Sequence, residues 1–173
     1  MTERPLPSAE YLRVCLRYVP ETGQLFWRER PREHFSSLRG FRTWNARFAG
    51  KEAFRAPQHS GHLNGTLDWK HYPANRVIWK IVAGEEPAAL IDHKDRDPTN
   101  NRWENLREAT KSQNNINSTV KLGIYFDKSR GKWAASIRLK RKHIHLGRYS
   151  TREEALEARA ARVREIFGEF APV

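Results

Sequence analysis

The sequence predicts an α+β architecture, and three observations carry that prediction. Apolar residues recur at helical spacing in some short stretches and at every second position in others. No tandem repeat, low-complexity tract or heptad run joins these stretches into a solenoid or a coiled coil. Strand-like runs come in sets, each followed by a helix. The expected parts are therefore a small β-β-α module and, after it, a three-stranded antiparallel sheet packed on one helix.

Taken in order, Ser8 to Tyr18 suits a helix, with Ser8 as N-cap, Glu10 in the first turn, and Leu12, Cys15, Leu16 and Val19 on one face. Pro20 stops it. Gly23 turns the chain into a short strand at Gln24 to Arg28, and residues 29–62 read as irregular because their aromatics, arginines and glycines keep poor periodicity. A strand around Gly65 to Lys70 precedes Pro73, which fits the first turn of a helix running to about Ala83 with Val77, Ile78, Ile81 and Val82 as its apolar face. Gly84 and Pro87 end that helix. Leu90 to His93 is the next strand, DPTNN a turn-rich loop, Leu106 to Thr110 a second strand, and Lys111 to Asn117 a helix capped by Thr110. Residues 123–149 carry turn signals at Ser129 to Gly131 and at Lys140 to Arg141, which imply three strands. A last helix starts at the capping box of Thr151 and Glu154.

The chain has 173 residues and a formal net charge of +12. Hydrophobic residues make up 38%, enough for compact cores and against wholesale disorder. The longest unbroken apolar run, Ala88 to Ile91, falls far short of the roughly 20 residues of a membrane span, and no apolar stretch follows the first charges, so a cytosolic protein without a membrane partner is expected. A single Cys15 excludes an intrachain disulfide and zinc sites built on several thiolates. The excess charge points to a polyanion, and nucleic acid first. It is unevenly spread: residues 1–71 hold 12 bases against 7 acids, residues 72–117 hold 7 against 7, and residues 118–173 hold 13 against 6. Asp92, Asp95 and Asp97 crowd the neutral centre, which implies work that needs carboxylates there while the flanks attract phosphate.

In the central hairpin and helix, Asp92 and His93 at the end of one strand can face Asn114 on the helix. A carboxylate and an amide oxygen are hard ligands suited to Mg²⁺, with another divalent ion such as Mn²⁺ as the alternative. An imidazole beside them can take a proton from water near neutral pH. The segment LIDHKDRDPTNNRWENLREATKSQNNIN, with its DH, NNRxENLR and SQNN elements, resembles the HNH homing endonucleases, whose active site is a ββα-metal or His-Me finger. The resemblance implies that His93 is the general base and that Asp92 and Asn114 hold a single metal ion. It also implies that Asn105, twelve positions after His93, pins the loop and orients the histidine, while Asn101 and Arg102 shape the loop or touch phosphate. The final histidine of the family name is an asparagine here, and the usual HR pair of the preceding helix reads Asn75 Arg76.

In the C-terminal sheet, alternation puts Ile124, Phe126, Trp133, Ala135, Ile137, Ile144 and Leu146 mainly on one face, and Tyr125, Ser136, Arg138, His143 and His145 on the other. Through GKWAASI, HLGRYS and TREEA this stretch resembles the plant ethylene-response-factor, or APETALA-type, DNA-binding domain, in which such a sheet reads the major groove. The resemblance implies base-reading roles for the second set. It implies phosphate contacts for Lys121, Lys128, Arg130 and Lys140. Where the plant family has mainly Arg and Trp on that face, this chain has Tyr, Ser and His, so no target sequence carries over.

The expected organisation is an N-terminal helix with short strands at 1–71 as a DNA-contacting extension, an HNH nuclease domain at 72–117, and a linker with the APETALA-type domain at 118–173. His59, His62 and His71 have no acidic or cysteine partners at ligand spacing and read as surface or DNA-facing residues. The leading expectation is a site-selective endonuclease of a phage or mobile element that acts on double-stranded DNA without a small-molecule cofactor and nicks one strand per active site. The oligomeric state is not visible in the sequence. A catalytically silent, sequence-specific DNA-binding regulator is the alternative. An RNA reader is disfavoured because only Tyr125 offers a stacking ring on the open sheet face.

Overall fold

The computed structural model describes residues 5–117, 123–139, 142–168 and 171. It divides into two compact units, Met1–Glu108 and Ala109–Val173. The expected boundaries at 71 and 117 group the chain differently. Among the described residues no helix is long and apolar enough to cross a membrane.

In the first unit, helix α1 (Ala9–Cys15) starts at Ser8, whose hydroxyl accepts from the Tyr11 N–H. It ends earlier than the expected Tyr18, because Leu16–Val19 (β1) pairs antiparallel with Gln24–Trp27 (β2). The turn between them brings Gly23, at φ +78°, so close to the Asn101–Arg102 backbone that a Cβ would lie 2.6 Å from Arg102 N. Helix α2 (Leu38–Phe48) lies where irregular chain was expected. Its apolar side chains Leu38, Phe41, Trp44 and Phe48 keep helical spacing, but Arg39, Gly40, Arg42 and Arg47 interrupt the pattern. No residue of α2 is buried, so its ring contacts form at partial exposure, as between Trp27 and Trp44 with centroids 5.3 Å apart.

Strands β3 (Glu52–Ala53), β4 (Ala56–Pro57), β5 (Leu63–Leu67) and β6 (Lys70–Pro73) complete two small sheets, ordered β1-β2-β3 and β4-β5-β6. Helix α3 (Ala74–Ala83) follows directly, with Pro73 as its N-cap and Gly84 left-handed at its C-cap. It buries Ala74, Val77, Ile78 and Ile81, whereas Val82, expected on that face, is 39% exposed, one position off the stripe. Strands β7 (Leu90–His93) and β8 (Leu106–Ala109) pair as a two-stranded sheet. Its Ile91 and Leu106 share one core with Leu12, Leu16, Leu25 and Ile78, so the N-terminal elements and the β7–β8 hairpin form a single body.

The second unit contains α4 (Lys111–Asn117) and a sheet of β9 (Ile124–Asp127), β10 (Lys132–Leu139) and β11 (Lys142–Tyr149) in the order β11-β10-β9. Helix α5 (Arg152–Phe167) opens with the expected capping box of Thr151 and Glu154. Its Val163, Ile166 and Phe167 cluster with Ile137, Ile144 and Leu146 of the sheet. In the β10–β11 pairing Ala135 opposes Gly147 and Ser136 opposes His145, so Leu146 is the extra residue of a bulge.

Candidate active site

Asp92 and His93 end β7, and both are 4% exposed. Their strand is steadied from α3, where the buried Asn75 donates its amide to Ile91 O at 3.4 Å. Asp92 Oδ2 accepts from Arg107 Nε of β8 at 2.9 Å, an ion pair between two largely buried side chains. His93 Nε2 lies 3.1 Å from Asn101 Oδ1, and Asn101 is itself 2% exposed. The Asn101 amide nitrogen turns toward Thr99 O at 3.4 Å, which aims Oδ1 at the imidazole. An amide oxygen only accepts, so His93 Nε2 is the donor in this bond.

The loop between β7 and β8 is cross-linked by Asn105. Its Nδ2 donates to Asp95 Oδ1 at 3.0 Å and to Asn100 O at 2.7 Å, its Oδ1 accepts from the Asp95 N–H at 3.1 Å, and its backbone oxygen accepts from the Lys94 N–H at 2.9 Å. Burial alone would raise the Asp95 carboxyl, but donors from the Asp97 N–H, Asn100 and Asn105 outweigh it and hold the group below its ordinary range. Asp97 is lowered mainly by the Thr99 hydroxyl. These two aspartates are thus ligands of the loop itself, while Asp92 lies beside the histidine.

Two neighbours of the site carry no signal in the sequence. The Tyr18 hydroxyl donates to Asn101 O at 2.8 Å, and burial pushes that phenol up to about 12. With Gly23 seated on the Asn101–Arg102 backbone, the β1–β2 hairpin braces the residue that holds His93. His62, expected as an ordinary surface or DNA-facing histidine, is half-buried with its ring centroid 5.3 Å from that of His93. Burial, and then the repulsion that a second protonated ring beside His93 would meet, lower its pKa. It lies 31 positions upstream of His93, a separation that no local spacing rule detects.

Asn114 lies on α4, in the second unit, and is partly exposed. Among the described residues no group of three or more His, Cys, Asp and Glu is arranged to hold a metal ion. A carboxylate such as that of Asp92 is a hard oxygen ligand, suited to Mg²⁺ or Mn²⁺.

On the sheet, pairing across β9, β10 and β11 puts Tyr125, Arg138, His143 and His145 on one face, all exposed, and adds Arg148, which the alternation argument passed over. Ser136 is a correction. It lies on that face but is 5% exposed, and its hydroxyl donates to Gly123 O at 3.2 Å. A small side chain on the central strand is shaded by larger cross-strand neighbours, and Ala134, between Tyr125 and Arg148, is fully buried for the same reason. Lys128 and Arg130 are exposed in the β9–β10 turn. Both Arg130 and Arg148 reach Asp127 Oδ2 at 3.3 Å, and the Ser129 hydroxyl first, then these arginines, draw that carboxyl down to about 2. Lys121 and Lys140 lie outside the described residues.

Residues 72–116 match the family model described as HNH endonuclease. In fold comparison the chain is similar to the structure titled "DNA binding and cleavage by the HNH homing endonuclease I-HmuI", at 17% identity, covering 82% of this chain and 75% of that one with a TM-score of 0.40. No curated protein shows significant similarity to the chain. The matched residues 72–116, which run from α3 through the β7–β8 hairpin into α4, are thus similar to an HNH endonuclease domain.

Proposed function

We propose that this protein is a site-selective, divalent-metal-dependent DNA endonuclease of the homing type, encoded by a phage or mobile element and acting in the cytosol or nucleoid of its host. The observation that carries the reading is the buried pair Asp92–His93 with His93 Nε2 held by Asn101. With Nε2 the donor, Nδ1 is the proposed basic nitrogen, suited to take a proton from a water as it attacks phosphorus. The new P–O bond forms as the bond to the 3′ oxygen breaks, and the departing oxygen collects a proton from solvent, giving 5′-phosphate and 3′-hydroxyl ends. The family pattern assigns Asn114 to the same cation as Asp92, and a bound Mg²⁺ or Mn²⁺ supplies stabilisation of the charge that develops on the phosphoryl and leaving oxygens. Asn105 keeps the loop in register and acts as a positioning residue. The exposed face of Tyr125, Arg138, His143 and His145 is the proposed groove-reading surface of an APETALA-type module, with Lys128 and Arg130, and from the same resemblance Lys121 and Lys140, meeting phosphates. One site per chain cuts one strand, so the primary product is a nick.

One observation favours the rival reading of a DNA-binding regulator with a silent centre: Asp92 is already ion-paired with Arg107. Relaxation of supercoiled plasmid separates the two. The endonuclease reading expects nicking in Mg²⁺ that stops in EDTA and falls by about 10² to 10⁴ in His93→Ala, the usual range for a general base. A folded protein that shifts DNA in a gel but leaves plasmids intact at every divalent ion tried would establish the regulator.

A further inference from the structure

We propose that Trp69 is a wedge that stacks against a base step of duplex DNA, presented for that purpose by the β5–β6 turn. The inference rests on the DNA-binding reading above and adds a contact site that the nuclease chemistry does not require. Trp69 is 96% exposed. An isolated exposed apolar residue is ordinary, but the backbone beneath this one is not. Asp68 and Trp69 have φ of 48° and 63°, the left-handed region that a two-residue hairpin turn normally fills with Asn-Gly. A tryptophan in the glycine position bears strain and gains no burial in return. Such strain persists only where surrounding structure enforces it, and it marks places where function selects the side chain.

The enforcing structure is visible. Asp68 accepts from the Tyr11 hydroxyl at 2.5 Å and from Arg30 at 2.8 Å. Arg30 is 5% exposed and lies over the rings of Phe35 and Trp44, at 5.3 and 5.2 Å. One turn residue is therefore anchored to a buried guanidinium while its neighbour projects. The surroundings are cationic. Trp69 lines a concavity of about 630 Å³ with Arg47 and the rings of Trp27, Phe35, Trp44 and Phe48, and Arg47 with Lys51 and Arg55 lines an adjoining one of about 650 Å³. Lys70 follows Trp69 directly and is exposed. An aromatic ring set among exposed cations matches nucleic acid, with phosphates on the cations and a base step on the ring.

The test uses the full chain with His93→Ala, in EDTA, so that the DNA stays intact. Affinities for one duplex are measured by gel shift for that parent and for Trp69→Gly and Trp69→Phe made in it. Glycine suits the left-handed turn, so the melting temperature of Trp69→Gly should be no lower than the parent's. Its affinity should fall by at least about fivefold, the low end for loss of a base–aromatic stack, while Trp69→Phe keeps most of it. A smaller loss in the glycine variant, or an equal loss in the phenylalanine variant, would overturn the wedge. An RNA duplex of the same sequence that loses as much affinity would overturn the assignment to DNA. If the parent binds and nicking by the unmodified chain is intact while Trp69→Gly changes nothing, the wedge alone fails. If the parent does not bind duplex DNA, the DNA-binding reading fails with it.

Discussion

The loop between β7 and β8 and the open face of the C-terminal sheet are both rich in polar side chains, yet they hold them in opposite ways. There, with the end of β7 that leads into it, Asp92, His93, Asn101 and Asn105 are buried, and each meets a specific partner. On the sheet Arg138, His143 and His145 stand exposed on a rigid ladder. Buried polar groups are costly when unpaired, so the loop fixes geometry. Exposed ones cost little to place and leave contacts to be chosen by a partner. The same contrast explains why Ser136 belongs with the loop residues in kind although its strand position puts it on the sheet face. It is buried and its hydroxyl is spoken for.

Breaking the comparison at its strongest point means removing Arg107. Arg107→Ala breaks a buried ion pair, and the expected loss is about 3–5 kcal/mol in denaturant unfolding, the range for removing one partner of such a pair. A loss below about 1 kcal/mol would mean that Asp92 is solvated in solution and that the ion pair is not structural. Asn105→Ala comes next. It removes three side-chain hydrogen bonds that tie Asp95 and Asn100 to the base of the loop, and about 2–3 kcal/mol is expected, together with a fall in nicking rate. Asn105→Asp cannot donate, so it should resemble the alanine variant. Rescue by aspartate would show that only acceptance from the Asp95 N–H matters.

Legibility in the sequence followed the same division. Asp92 and His93 were placed at the end of one strand by pattern and Asn105 was singled out by the family resemblance, and strand, loop and strand fell within a few residues of the expected bounds. Helices α3, α4 and α5 were legible from caps and periodicity. Helix α2 was not, since arginines and a glycine interrupt its aromatic stripe and it buries nothing fully. His62, Tyr18 and Gly23 reach the site only through tertiary folding of segments 31 to 83 positions away from their contacts, and no local pattern encodes that. Ser136 lies on the expected face but its burial was not legible, because alternation gives the side of a sheet and not the size of the neighbours that shade it.

A smaller effect sharpens the division between holding and reacting. Tyr18→Phe leaves Asn101 O without its 2.8 Å donor and should cost about 1 kcal/mol. Because Tyr18 acts through Asn101, the nicking rate at saturating DNA should fall several-fold while DNA affinity stays the same. A change confined to affinity would make Tyr18 a DNA contact instead. Acid sensitivity gives a parallel test. The Asp95 carboxyl titrates lower in the folded chain than in the unfolded one, so its contribution is present above the ordinary carboxylate range and is lost as pH falls through the lowered value. Asp95→Asn should therefore lose less stability than the parent between mildly and strongly acidic pH. An unchanged slope would remove Asp95 from the account of the loop.

The least expected change in stability belongs to the sheet, where two neighbouring substitutions set the reader apart from the frame. Arg138 is exposed opposite His143, and Arg138→Ala should leave unfolding within about 0.5 kcal/mol of the parent. If Arg138 meets a phosphate, affinity falls equally on all sequences and the salt slope drops by about one. If it meets a base edge, the preferred site loses its advantage while non-specific binding survives. Ser136→Ala, two residues away on the same strand, should do the reverse. It removes the hydroxyl bond to Gly123 O, costs about 1 kcal/mol, and leaves site preference alone. A selectivity change in Ser136→Ala as large as that in Arg138→Ala would mean the sheet rearranges on DNA to expose the serine. Loss of all nicking in Arg138→Ala, as complete as in His93→Ala, would mean that the sheet and the hairpin do not divide reading from cutting.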